Sequence, residues 1–204
     1  WHIAGPYCTK LLADYGADVV KVERPGLGDP SRRMGPFPQD QADTEKSGLF
    51  LHLNTNKKGI TLNLKSDKGK AIFMRLLRDV DILVESFSPG VLPSLGLDFP
   101  ALQAVNERLA MLRISNFGQT GPYRDFKLSE LVLSAMGTSM KTCGQPDREP
   151  LKLAGNLLQY QAGLMAAIAG MGALVCSRAT GVGQQLDVSL METCLGSIDR
   201  RAPS

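Results

Sequence analysis

Cysteine and histidine are scarce in this 204-residue sequence: Cys8, Cys143, Cys176 and Cys194 stand far apart, and only His2 and His52 are available to join them. No C-x-x-C pair or mixed Cys/His spacing occurs, so no metal site is assigned. The scatter also speaks against a disulfide framework and for a reduced, cytoplasmic setting. An excess of one charge is lacking as well. With a formal net charge of +3 and 21% charged residues, no concentrated basic face is present and no nucleic-acid partner is expected. Long apolar runs are few. The most membrane-like stretch, residues 162–176 (AGLMAAIAGMGALVC), is shorter than the ~20 residues a bilayer span requires, so it reads as a buried helix and no membrane partner is expected. The opening WHIAGP has neither the basic nor the apolar region of a signal peptide. Walker A and G-x-S-x-G sequences are absent, and no internal repeat is found.

What is present is an alternation. A 43% hydrophobic composition over this length supports one sizeable core. Residues 7–15 carry apolar side chains at helical spacing behind Pro6, and Gly16 closes the helix. Residues 17–23 (ADVVKVE) read as a strand, followed by a Gly/Pro/Asp loop over 25–38. The chain thus opens on a strand–helix–strand unit whose first strand is cut off. Further strands are expected at 59–64, 81–85 and 110–115, with a helix from a Ser66 cap to residue 79 and a short one over 100–108. Repeated βα units imply an α/β fold with a mainly parallel sheet and helices on both faces. After Asn116 come a glycine-rich loop, a helix near 128–140 and a long apolar helix from about Asn156. The segment GVGQQ at 181–185 precedes a strand and opens no helix, so it is a turn and no dinucleotide fingerprint. Residues 187–198 read as a strand running into a helix, and the chain then stops without a closing element.

Four blocks carry a resemblance: AGPYCTKLLADYGADVVKVERPGLGDPSR (4–32), LNTNKKGITLNLKSDKGK (53–70), ILVESFSPGVLPSLGLDF (82–99) and ISNFGQTGPYRD (114–125), with a weaker TGVGQQLDVSL (180–190). In this order and spacing they resemble the family III CoA-transferases, the CaiB/BaiF family. The resemblance implies a Rossmann-like large domain truncated over residues 1–204, lacking its first strand and the C-terminal small domain. It further implies two full-length chains interlocked as a homodimer, or a tandem-domain partner. Acyl-CoA and a carboxylic acid are the implied ligands, CoA being a substrate, with no separate cofactor.

A CoA thioester presents phosphates and an adenine at one end, and holding that remote end lets binding energy orient the reacting end. By resemblance, Arg24, Lys65 and Lys127 match positions that contact the CoA nucleotide, and Leu62 lines the adenine. Read on their own, Lys65 and Lys127 serve equally as solvated surface charges, and Arg24, embedded in the first block, less so. Ser94 stands where the family usually has an arginine at the adenine end. The turns at Gly90 and at 118–121 can admit backbone close to the ligand or do ordinary turn duty.

In the family as it is resembled here, the nucleophile is an aspartate four residues before the glycine of an Ala-Gly pair that opens the long helix. Here that Ala-Gly is Ala162-Gly163, and the nucleophile position holds Gln159. A neutral amide cannot attack a thioester as a carboxylate does, though it can donate a hydrogen bond to its carbonyl. Glu130 matches a second acidic position that supports the nucleophile, and by itself reads equally as a helix-surface glutamate. Ser129 replaces the histidine of the racemase branch, so racemase chemistry is not expected. Three functions stay open, the first two being CoA transfer between an acyl-CoA and a carboxylic acid, or a non-catalytic CoA-binding half of a tandem or hetero-oligomeric enzyme. A lyase-like partner acting on bound acyl-CoA is a third.

Overall fold

A computed structural model describes residues 2–137 and 139–196. Helix α1 (Ala4–Asp14) leads to β1 (Val19–Glu23), α2 (Gly48–Asn54), β2 (Lys57–Thr61), α3 (Asp67–Leu77), β3 (Ile82–Glu85), α4 (Val91–Ser94), α5 (Phe99–Gln103) and β4 (Ala110–Ser115). Then follow α6 (Glu130–Met136), the 24-residue α7 (Leu157–Thr180), β5 (Gln184–Ser189) and α8 (Leu190–Leu195). Among the described residues every strand pair is parallel, as the βα alternation requires.

Among the described residues the strands form two sheets: β1 with β2, and β3-β4-β5 with β4 in the centre. Helix α1 touches both β1 and β3. Side-chain alternation explains the layering of the larger sheet. On one face Leu112, Ile114 and Val188 join Ala4, Cys8, Leu133, Ala162, Ala166 and Cys194 in one core, with Ile82, Val84 and Leu186 packed against it. On the other face Met111 joins Phe73, Leu77, Leu92, Leu97 and Leu102, bordered by Leu62, Leu83 and Phe87. A parallel sheet buried on both faces is the expected architecture, and the Rossmann-like α/β reading holds.

The expected elements needed correction in places. The Ser66 cap is present, its Oγ accepting the Gly69 N–H at 3.1 Å, but the helix ends at Leu77. The strand expected at 59–64 lies at Lys57–Thr61; the Leu62 N–H makes one more bond to β1, and Leu62 and Leu64 then pack against the Phe73 cluster as the chain turns into the Ser66 cap. Only Phe99–Gln103 of the helix over 100–108 is regular. In place of the helix near 128–140 stand α6 over Glu130–Met136 and a 3-10 turn over Ser139–Thr142; α6 ends at Gly137, where a Cβ would collide with Cys194. Helix α2 went unforeseen; Ser47 caps it by accepting the Phe50 N–H. Strand β5 begins at Gln184 and α8 reaches Leu195, while residues 197 and 198 lie outside the described residues.

The largest correction concerns α7. It is not buried all round. Its inward stripe is small, with Ala162, Gly163, Ala166, Gly170, Ala173 and Ser177 against the sheet and α1. A Cβ on Gly163 would stand 2.6 Å from the Ala4 carbonyl oxygen, and one on Gly170 would stand 3.1 Å from Leu112. Its large apolar residues face outward: Leu164, Met165, Ile168, Met171 and Val175 are 45–64% exposed. At 24 residues the helix is also long and apolar enough to cross a membrane by length and composition, so the length argument made from residues 162–176 alone does not hold. One face of it nevertheless packs on α1, β4 and β5.

Candidate active site

Two helix starts converge on the end of β3. The Gly163 contact brings the beginning of α7 against the beginning of α1, and a Cβ on Gly5 would stand 2.9 Å from Ser86 Oγ, just past β3. Tyr160 packs edge-on against Tyr7, ring centroids 4.8 Å apart, and its ring lies 6.1 Å from that of His52 of α2. Burial pushes the Tyr160 hydroxyl pKa up, with Tyr7 adding to the shift.

Gln159 and Glu130 meet here. Ser129 caps α6 by accepting the Val132 N–H at 3.3 Å, which places Glu130 first in that helix. Its carboxylate turns away from its own helix to the start of α7. Oε1 accepts the Leu158 N–H at 2.8 Å, and Oε2 accepts a longer bond from Gln159 Nε2 at 3.3 Å. Asn156, the N-cap residue just before α7, makes no side-chain cap bond, so Glu130 supplies from another helix the negative acceptor that a helix N-terminus favours. The glutamate is thereby tied both to the backbone at the start of α7 and to the side chain of residue 159.

The proposed nucleotide-binding residues fall at carboxyl ends of strands. Arg24 directly follows β1 and is exposed. The register pairs Glu23 with Thr61, and the Leu62 N–H donates to the Glu23 carbonyl at 2.9 Å, placing Leu62 and Arg24 side by side. Lys65 is exposed three residues later, in a turn where its own N–H donates to Asn63 Oδ1. Lys127 is exposed in the loop leaving β4, held at its base by Asn116 Nδ2 donating to the Phe126 carbonyl. The structure thus gathers Arg24, Leu62 and Lys65 at the end of the smaller sheet and puts Lys127 at the end of the larger one. Ser94 turns its hydroxyl back onto the Val91 carbonyl at 2.7 Å.

Several polar groups near these ends were not foreseen. Glu85 and Arg113, opposite each other in the β3–β4 register, form a buried ion pair at 2.7 Å, and the second Glu85 oxygen accepts the Phe87 N–H. Burial raises the Glu85 pKa against the opposing pull of Arg113. The loop after Arg24 is locked by acids. Glu23 takes two bonds from Arg32, whose guanidinium lies 3.7 Å over the Phe50 ring. Burial alone would raise the Asp29 pKa, but Lys21 at 2.7 Å and the Ser31 N–H outweigh it and hold the carboxyl at about 2. Lys57 donates to the carbonyls of Pro6 and Leu53 and to Asn54 Oδ1, tying α1 to α2; burial pushes its pKa down to about 7. A charge inside an apolar strand, as in ILVE and AMLRIS, is the sequence signal that could have revealed the Glu85–Arg113 pair.

The family model for CoA-transferase family III matches residues 1–203. The chain belongs to that family. It is 39% identical over 204 residues to the succinyl-CoA–D-citramalate CoA-transferase of Chloroflexus aurantiacus, covering 98% of this chain and 49% of that protein. It is 36% identical over 192 residues to the succinate–glutarate CoA-transferase of Agrobacterium fabrum, covering 93% and 48%. A crystal structure of a CaiB/BaiF family protein from Brucella suis superposes with a TM-score of 0.88 at 34% identity, over 96% of this chain and 52% of that one. The chain spans about half the length of the curated relatives it matches. For a family III CoA-transferase fold, the junction of α1, α6 and α7 beyond the end of β3 is the candidate active site.

Proposed function

We propose that this chain carries the acyl-CoA-binding half of a CoA-transferase that moves CoA from an acyl-CoA to a carboxylic acid, with Glu130 as the attacking carboxylate. The observation that carries the reading is the Gln159–Glu130 contact at the start of α7. Residue 159 offers an amide, and the acid beside it offers the nucleophile. Oε1 of Glu130 is held by the short bond from Leu158, whereas the 3.3 Å bond to Oε2 is the weaker of the two and leaves that oxygen available.

In this mechanism Oε2 attacks the thioester carbonyl carbon, the C–S bond breaks and CoA departs as thiolate, leaving an acyl–glutamyl anhydride. Released from Oε2, the Gln159 amide donates to the developing oxyanion at the helix N-terminus. The thiolate attacks the glutamyl carbonyl, releasing the first carboxylate and forming a glutamyl-CoA thioester. The acceptor carboxylate attacks that carbonyl and displaces thiolate, which then takes the new acyl group and regenerates Glu130. Arg24, Lys65 and Lys127 hold the phosphates and Leu62 the adenine, with CoA serving as substrate.

The four cysteines are free, consistent with a cytoplasmic setting. The exposed outer side of α7 fits burial against a second copy of the chain. Incubation with an acyl-CoA, hydroxylamine trapping and mass spectrometry should map a hydroxamate to Glu130, and Glu130→Gln should abolish both adduct and turnover. Turnover surviving that change would refute the assignment. The rival reading, a non-catalytic CoA-binding half, draws on the amide at Gln159; CoA binding with no adduct and no turnover in the wild type would favour it.

A further inference from the structure

The face of the larger sheet opposite α7 ends in a polar row. Glu85, Arg113 and Asp187 lie in register on β3, β4 and β5, on the side that Met111 and Leu83 share with the Phe73 cluster. Ser115 is the next residue of β4 on that face, opposite Ser189. From there the chain turns at Gly118, whose φ of +84° suits glycine. It returns so that the Gln119 N–H donates to Asp187 Oδ2 at 2.7 Å. The backbone of Gln119 is thereby anchored to Asp187, which stands on the strand beside that of Ser115 and one pleat before its partner Ser189.

Two atoms here are buried without a hydrogen-bonding partner among the described residues: Ser115 Oγ and Gln119 Nε2. Ser115 is only 5% exposed. Buried polar groups are rarely left so, since the lost hydration is not recovered. Both can donate, and both stand where parallel α/β sheets present ligands, beyond the carboxyl ends of the strands. The row beside them carries two acids and one base, so an anionic ligand group is repelled, whereas a neutral acceptor is not.

We infer that Ser115 Oγ and Gln119 Nε2 together hold an uncharged amide carbonyl of the pantetheine arm of the bound CoA. The inference rests on the CoA reading above. It supplies what that reading lacked, a grip on the middle of the ligand. Leu62 and Phe87 border the same apolar cluster that lies under this face, so an arm leaving the nucleotide at Leu62 and Lys65 passes Phe87 before reaching Ser115. A carbonyl oxygen has two lone pairs, one for each donor.

The test uses the full chain and three ligands in calorimetry: CoA, acetyl-CoA, and adenosine 3′,5′-bisphosphate, which has no arm. Ser115→Ala and Gln119→Met should each weaken CoA and acetyl-CoA alike by about ten-fold. Affinity for the bisphosphate should not change. Because each change removes a group unpaired in the free protein, the melting temperature without ligand should stay level or rise. A lower melting temperature with CoA affinity intact would overturn the inference, since the two atoms would then be satisfied internally. Loss confined to acetyl-CoA would assign them to the thioester and overturn the arm. If the wild type binds bisphosphate and CoA equally well, the nucleotide site survives and the arm contact fails. If it binds none of the three, the CoA reading itself fails and takes this inference with it.

Discussion

Replacing Arg113 by Met should leave Glu85 charged and alone inside the sheet. Glu85 is 6% exposed, and the remaining partner of its carboxylate is the Phe87 N–H at 2.7 Å. At the observed 2.7 Å separation from Arg113, an effective dielectric near 20 gives an attraction of about 6 kcal/mol. Part of that merely offset the cost of taking both ions out of water, so removing one partner is expected to cost about 3–5 kcal/mol. For a chain of this size that lowers the melting temperature by roughly 6–20 °C. The penalty depends on pH in a definite direction. The Glu85 pKa is already raised in the fold by burial and rises further without Arg113, so the folded variant holds its proton where the unfolded chain has lost it. Its stability therefore falls as pH climbs from the ordinary carboxylate range through the folded value. Urea denaturation at pH 8 and near pH 4 measures this: the deficit relative to wild type should be large at the higher pH and much smaller at the lower. Pairing Arg113→Met with Glu85→Leu should restore most of the loss at pH 8. A deficit below about 1 kcal/mol at pH 8, or one independent of pH, would refute the claim that the charge is confined in a dry interior.

Two other perturbations read different parts of the molecule. Lys57 has a pKa pushed down to about 7, below its value in the unfolded chain. The unfolded state thus binds more protons above pH 7, and stability should rise between pH 7 and 9. That window lies below the range where the buried Cys8 thiol, pushed up to about 12, acts in the opposite sense; Lys57→Met should flatten the rise, as read by urea midpoints at several pH values. On α7, Ile168 is 60% exposed among other large apolar residues, so Ile168→Lys should shift sedimentation toward the monomer and change the monomer's unfolding free energy by no more than about 0.5 kcal/mol. An unchanged oligomer would remove α7 from the contact.

The sheet was legible because strand-forming runs such as AMLRIS and helix caps such as Ser66 act locally. The meeting of Gln159 and Glu130 was partly legible: both positions stood out by family resemblance, yet no local rule says that a glutamate opening one helix caps another, 28 residues on from Glu130 to Leu158. Helix α7 misled for a physical reason. Alanine, glycine, leucine and isoleucine are all apolar, so size, which decides which stripe can approach the sheet, leaves no trace in a polarity pattern. The partners of Arg113 and Lys57 were not legible, because Glu85 and the carbonyls of Pro6 and Leu53 come together with them only through tertiary contact.

The division into two sheets bears on how the molecule opens. Residues of β4 and β5 anchor the apolar cores, whereas β1 and β2 contribute no side chain to the buried part of either. The smaller sheet is kept in place by α1, by the Lys57 contacts and by the ion pairs of Lys21 and Arg32. Such a unit can detach at a lower free energy than global unfolding, so its amide hydrogens would exchange with solvent long before those of β4. A CoA molecule gripped by Arg24 and Lys65 at one sheet and by Ser115 at the other would act as a fastener between them. Occupancy would then slow exchange most in β1 and β2, far from the thioester, making the mobility of the smaller sheet a gauge of whether the ligand is bound along its whole length.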